Sequence, residues 1–124
     1  MGVSLATIVY RLVLLLALVV TTYLAVVPAP ITEGVEISDK FLHAMAFCVL
    51  LWLADSSWPD SGVNLAKVTL IFAYGALIEI TQFYLPYREC SLLDLLADGV
   101  GMLGYPLMIP LLRYLPVLGR RWQG

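Results

Sequence analysis

Four predominantly apolar runs, at residues 12–27, 41–54, 63–85 and 92–112, are divided only by short polar breaks. A soluble chain cannot be built around that pattern, because too little is left to cover its surface. Hydrophobic residues make up 61% of the 124-residue sequence and charged residues 13%, against roughly 45–50% and about 25% in an ordinary soluble domain. Lipid is therefore the expected solvent for much of the chain. The expected fold is all-α: a polytopic bundle of four transmembrane helices, forming one domain over residues 1–124. A net charge of −2 supplies no broad basic field, so nucleic acid is not an expected partner.

The first run extends upstream to a span of about residues 5–27, with Arg11 near its end able to snorkel to the interface. A cleaved leader is the competing reading, but Val27-Pro28-Ala29-Pro30 places prolines where a small-residue cleavage motif is wanted. The second run has only fourteen residues, about 21 Å of helix against a core of roughly 30 Å. It must lie in thin bilayer or carry polar side chains below the interface. Residues 55–62 read as a turn holding an interfacial Trp58, and Ser91-Leu92-Leu93-Asp94 as a variant capping box opening the fourth helix. With the N-terminus inside, five basic residues (Arg11, Lys67, Arg113, Arg120, Arg121) flank the inner side and two (Lys40, Arg88) the outer. Both termini are thus expected in the cytoplasm, in a multi-pass protein of the bacterial inner membrane.

In that topology three segments bring polar residues to one depth near the outer face: Asp39, Lys40 and His43 opening the second helix, Glu79 and Gln82 closing the third, and Arg88 through Asp98. Helical spacing aligns Asp39 with His43, Glu79 with Gln82, and Asp94 with Asp98. An ionised carboxylate facing lipid costs about 2.5–3.5 kcal/mol on insertion scales, so Glu79 and Asp98 are expected to face a bundle interior. A structural ion-pair network, Glu79 with Arg88 and Asp39 with Lys40, is one reading; a functional polar pocket is the favoured one. Four carboxylates (Asp39, Glu79, Asp94, Asp98) against Lys40 and Arg88 leave an acidic excess that a divalent cation, protonation or water must offset. The candidate metal ligands are those four carboxylates, with Mg²⁺, Mn²⁺ or Ca²⁺ suited to the oxygen-rich set.

Arg88 and Lys40 are the candidate anion contacts, and His43 or Glu79 the candidate general acid/base if a reaction occurs there. Gly99-Val100-Gly101-Met102-Leu103-Gly104 has dinucleotide-fingerprint spacing but lies inside an apolar helix without a preceding strand. Ala97, Gly101 and Gly104 are better read as small residues admitting a neighbouring helix. No Ser/His/Asp or Cys/His nucleophile set is apparent. Cys48 and Cys90 are too few for a disulfide framework and are expected at different depths.

Asp39-Lys40-x-x-His43, Glu79-x-x-Gln82, Pro86-x-Arg88-x-x-Ser91-x-x-Asp94 and the glycines 101 and 104, in this order, resemble the VanZ-like membrane proteins. The motif-bearing part is residues 39–104. The resemblance implies a small multi-pass bacterial membrane protein of the cell envelope, in a family whose founding member is associated with low-level resistance to the glycopeptide teicoplanin. It marks Asp39, Lys40, His43, Glu79, Gln82, Arg88, Ser91, Asp94, Gly101 and Gly104 as motif positions. Where the family usually shows Asn, this chain has Asp98, adding negative charge to the cluster. The expected function is binding of an anionic lipid or glycan-precursor headgroup at Asp39, Lys40, His43, Glu79, Gln82, Arg88, Asp94 and Asp98. The alternative is a membrane-embedded enzyme acting on a lipid-linked envelope substrate by acid/base or metal-assisted chemistry. Membrane lipids and an envelope precursor are the expected partners.

Overall fold

The computed structural model describes residues 3–27, 36–86 and 92–116, with the backbone alone at 36–39. Expectations for Pro28, Pro30, Arg88, Glu89, Cys90 and Ser91, and for the Asp39 side chain, lie outside the described residues. Among the described residues the chain is all-helical: α1 (Leu5–Val26), α2 (Glu36–Ser57), α3 (Leu65–Phe83) and α4 (Leu92–Leu112). Each is long and apolar enough to cross a membrane.

Local chemistry sets the described ends. The Ser4 hydroxyl accepts from Thr7 N at 3.1 Å and opens α1, and the Asn64 side chain accepts from Lys67 N at 2.9 Å and opens α3, each satisfying a backbone donor that the first helical turn leaves over. The body of α1 is apolar all round, so Leu12, Leu15, Leu16 and Val19 remain exposed, as suits a lipid-facing helix, while Leu14 is buried. Tyr10 of α1 meets Trp52 of α2 edge to face at 5.7 Å. On α3, Tyr74 Oη donates to Leu18 O of α1 at 3.0 Å. In α4 the helix continues through Pro106 and Pro110.

The short second run is the centre of a longer helix. α2 has 22 residues, about 33 Å at 1.5 Å per residue, so it reaches across the hydrocarbon by taking Lys40 and His43 into its first turns and Asp55, Ser56 and Ser57 into its last. This corrects the turn expected from residue 55: Asp55 and Ser57 are fully buried helical residues, and the turn begins at Trp58. The cause is tertiary. Lys67 Nζ donates to Asp55 Oδ1 at 2.8 Å and to the carbonyls of Trp58 and Ser61 at 2.9 Å each, while Tyr105 Oη donates to Asp55 Oδ2 at 2.6 Å. Arg11 Nε donates to Ser57 O at 2.9 Å, and its guanidinium lies 5.2 Å from the Trp58 ring centroid. Lys67, counted from sequence among the basic residues of a membrane flank, is instead a buried ion-pair partner.

These contacts fix the helix directions. The beginning of α1, the end of α2, the beginning of α3 and the later part of α4 share one end of the bundle, so α1 and α3 run opposite to α2 and α4. Between the two ends lies an apolar middle of Phe47, Leu50 and Leu51 from α2, Ile71 from α3, and Met102 and Tyr105 from α4. The α2–α4 interface is the most extensive, and Gly101 is its closest approach: a Cβ there would stand 2.7 Å from Ala44 Cα and closer still to the Ala44 carbonyl. Gly104 has no such neighbour and Ala97 is half-buried. Of the three small residues expected to admit a helix, Gly101 does so by necessity.

Candidate functional site

At the opposite end from Asp55, three helices present polar side chains to one another. α2 contributes Lys40 and His43 on successive turns, α3 contributes Glu79 and Gln82, and α4 contributes Asp94 and Asp98. Glu79, Gln82, Asp94 and Asp98 are all buried. Each carboxylate therefore depends on protein partners in place of water.

Two cross-helix pairs join α2 to α4. Lys40 Nζ donates to Asp94 Oδ1. His43 Nδ1 lies 3.1 Å from Asp98 Oδ1, and its Nε2 is 4.0 Å from Asp94 Oδ2. With a proton on Nδ1 the ring donates to Asp98, which fixes the imidazole plane and turns Nε2 toward Asp94. The i,i+4 spacing of Asp94 and Asp98 puts both on the helix face that meets α2. The pairing of Lys40 with Asp94 joins residues 54 apart in sequence, a partner that no local pattern names.

The third wall is α3. Gly75, one turn before Glu79, brings this helix so near that a Cβ would sit 2.9 Å from Phe47 Cε1 and 3.0 Å from Asp98 Oδ2. Gln82 Nε2 donates to Ala25 O of α1 at 3.1 Å, tying the end of α1 to the cluster. Within this corner, one donor atom from each of His43, Glu79 and Asp98 lies within 4.8 Å of the others.

Charge is distributed by depth. The Lys40 and His43 side chains retain 33% and 22% of their exposure, while those of Asp94 and Asp98 retain 8% and 2%. Among the described side chains, the more exposed of these groups are basic and the buried ones acidic.

Of the residues expected at a site, Lys40, His43, Glu79, Gln82, Asp94 and Asp98 come to the same end of the bundle, and Arg88 and the Asp39 side chain fall outside the described residues. Sequence reasoning missed Gly75, whose signal was its place four residues before Glu79 on the same face. It also missed the Asp55–Lys67–Tyr105 group at the other end, for which the recurrence of Asp98 and Tyr105 at a seven-residue spacing on α4 was the available hint.

The sequence model of one family, described as VanZ/LLP1, matches residues 3–113. No curated protein and no solved structure shows significant similarity to the chain.

Proposed function

The chain belongs to the VanZ/LLP1 family, and from that premise we propose that it is a multi-pass protein of the bacterial cytoplasmic membrane that binds an anionic lipid or glycan-precursor headgroup at the α2–α3–α4 cluster. The supporting observation is the depth order of the charges: Lys40 and His43 at the rim, Asp94 and Asp98 beneath them. Buried carboxylates hold the Lys40 ammonium and the His43 imidazole in place at the more exposed rim, where a ligand of negative charge would meet them. Arg88 joins them as an anion contact in this reading, and Gln82 and Glu79 orient the headgroup. Both termini are placed in the cytoplasm and the cluster at the outer leaflet, from the distribution of basic residues.

Native mass spectrometry of the detergent-solubilised protein with added phosphatidylglycerol or phosphatidylcholine tests the reading. Retention of the anionic lipid is expected to exceed that of the zwitterionic one, and Lys40→Ala to weaken it about tenfold, the factor equal to roughly 1.4 kcal/mol of lost charge-assisted contact. Equal retention of the two lipids, unchanged by Lys40→Ala, contradicts it. Orientation is checked with single cysteines replacing Arg88 or Arg113 in a background where Cys48 and Cys90 are serine. A membrane-impermeant thiol reagent added from outside is expected to label position 88 and spare position 113; the reverse pattern inverts the topology.

A second reading, an enzyme acting on a lipid-linked envelope substrate, is supported by the carboxylate-held imidazole of His43 on Asp98, the arrangement by which an imidazole is kept in one tautomer for proton transfer. It is distinguished by incubating the protein with total membrane lipid: an enzyme generates a new lipid species that disappears in His43→Ala while lipid retention persists. A contribution to teicoplanin tolerance belongs to this proposal only if the bound headgroup is a glycan precursor.

A further inference from the structure

We infer that His43, Glu79 and Asp98 form a divalent-cation site within the cluster, reaching from the rim at His43 to the buried Asp98. One donor atom from each lies within 4.8 Å of the other two, and a cation bound at about 2.0–2.6 Å spans donors up to about 4–5 Å apart. The 3.1 Å between His43 Nδ1 and Asp98 Oδ1 also suits neighbouring donors on one octahedral ion, which bonds of about 2.1 Å place about 3 Å apart; the ion then takes the place of the Nδ1 proton, which moves to Nε2 or is released. The three residues come from α2, α3 and α4, so the site exists only when the bundle is assembled. Gly75 makes it possible by letting α3 close against Asp98.

An independent observation points the same way. Gln82 is 6% exposed, and its Oε1 is buried and accepts no hydrogen bond among the described residues. Its Nε2 is committed to Ala25 O on α1, so the carbonyl oxygen is turned off that contact, on the helix face that carries Glu79 one turn earlier. A buried amide oxygen in that state calls for an electropositive partner, and an amide carbonyl is an oxygen ligand of the kind hard cations take. Gln82 follows Glu79 by three residues on α3, so a cation held by His43, Glu79 and Asp98 would offer that oxygen such a partner from the same helix face.

The donor set selects the ion. Two carboxylates and an amide oxygen suit Mn²⁺ or Mg²⁺, and one imidazole shifts the preference toward Mn²⁺ and Zn²⁺ and away from Ca²⁺. Asp94 stands outside the set. It is held by Lys40, in contrast to its grouping among metal candidates by sequence, where all four carboxylates looked alike. The site itself is independent of the headgroup reading; only its task, presenting an open coordination position to a headgroup phosphate oxygen, rests on that reading.

Titration of the purified, detergent-solubilised chain with Mn²⁺, followed by electron paramagnetic resonance with Zn²⁺ as competitor, tests the site. One Mn²⁺ per chain is expected, displaced by Zn²⁺, with one directly coordinated nitrogen in the pulsed spectrum. His43→Ala and Asp98→Asn are each expected to weaken binding at least about tenfold, and Asp60→Asn in the exposed turn to leave it within about threefold. Absence of binding, or binding without nitrogen coupling, or binding indifferent to His43→Ala overturns the inference. Should the variants fail to fold, the nitrogen coupling in the unaltered protein still decides. Lipid retention measured in the presence of a chelator separates the two proposals. Retention with no Mn²⁺ site defeats the metal alone, and a Mn²⁺ site with no lipid retention defeats the headgroup reading alone.

Discussion

Gly101→Ala will destabilise the bundle by about 3 kcal/mol or more, the upper range of overpacking, while Gly104→Ala will be neutral or stabilising by up to about 1 kcal/mol, the helix-propensity gain of alanine over glycine. The two glycines are three residues apart on one helix, yet they differ completely in surroundings. A methyl at 101 meets the backbone of Ala44, with Cα at 2.7 Å and the carbonyl nearer, whereas a methyl at 104 meets nothing within 4 Å. A side chain in the way can change rotamer; helical backbone cannot, so α2 and α4 must part. Because the same interface holds Lys40 to Asp94 and His43 to Asp98, Gly101→Ala also loses lipid retention and Mn²⁺ binding. Thermal unfolding in detergent, followed by tryptophan fluorescence, measures the first effect. Equal melting temperatures for the two variants contradict the close packing of α2 on α4.

Lys67→Met will cost about 3–5 kcal/mol, the range for removing one partner of a buried ion pair. The ammonium donates to Asp55 Oδ1 and to three backbone carbonyls, those of Asp55, Trp58 and Ser61, so it both neutralises a fully buried carboxylate and closes the α2–α3 turn. Without it the Tyr105 hydroxyl still donates to Asp55 Oδ2, but a hydroxyl carries no compensating charge. Adding Asp55→Asn to Lys67→Met removes the stranded charge, and the double variant is expected to be more stable than Lys67→Met alone by at least about 1 kcal/mol. Denaturant titration of the four proteins gives the coupling energy. Simple addition of the two single losses refutes the pairing. This group lies at the end of the bundle away from His43, so lipid retention per folded molecule is expected to remain unchanged in these variants.

The helices and the shared end of the bundle at which the site residues meet were legible from the sequence for one reason: lipid leaves a polar side chain few places to go. A run of sixteen uncharged residues at 12–27 can only be a span or a leader, and α1 indeed runs Leu5–Val26. Glu79 after a long apolar stretch must turn inward, and it is buried. The same rule misjudged Asp55. A charge followed by serines, Trp and Pro resembles a turn, and only a lysine arriving from the next helix and a tyrosine from the one after make it helical interior. Lys67 kept its place near a span end, and only the fold shows that it is buried against Asp55 where such a charge is usually solvated.

What the sequence determined by itself is the apolar character of the helices, their number and the end of the bundle that Lys40, His43, Glu79, Gln82, Asp94 and Asp98 share, because hydropathy and the 3.6-residue period act along one chain and need no partner. Who faces whom was decided by the tertiary structure. Asp94 went to Lys40 and Asp98 to His43, and that division, with Gly75 and Gly101 bringing α3 and α4 against α2, separates carboxylates that the sequence left indistinguishable. Contact between helices depends on where small residues allow backbones to meet, and that is a property of two surfaces together.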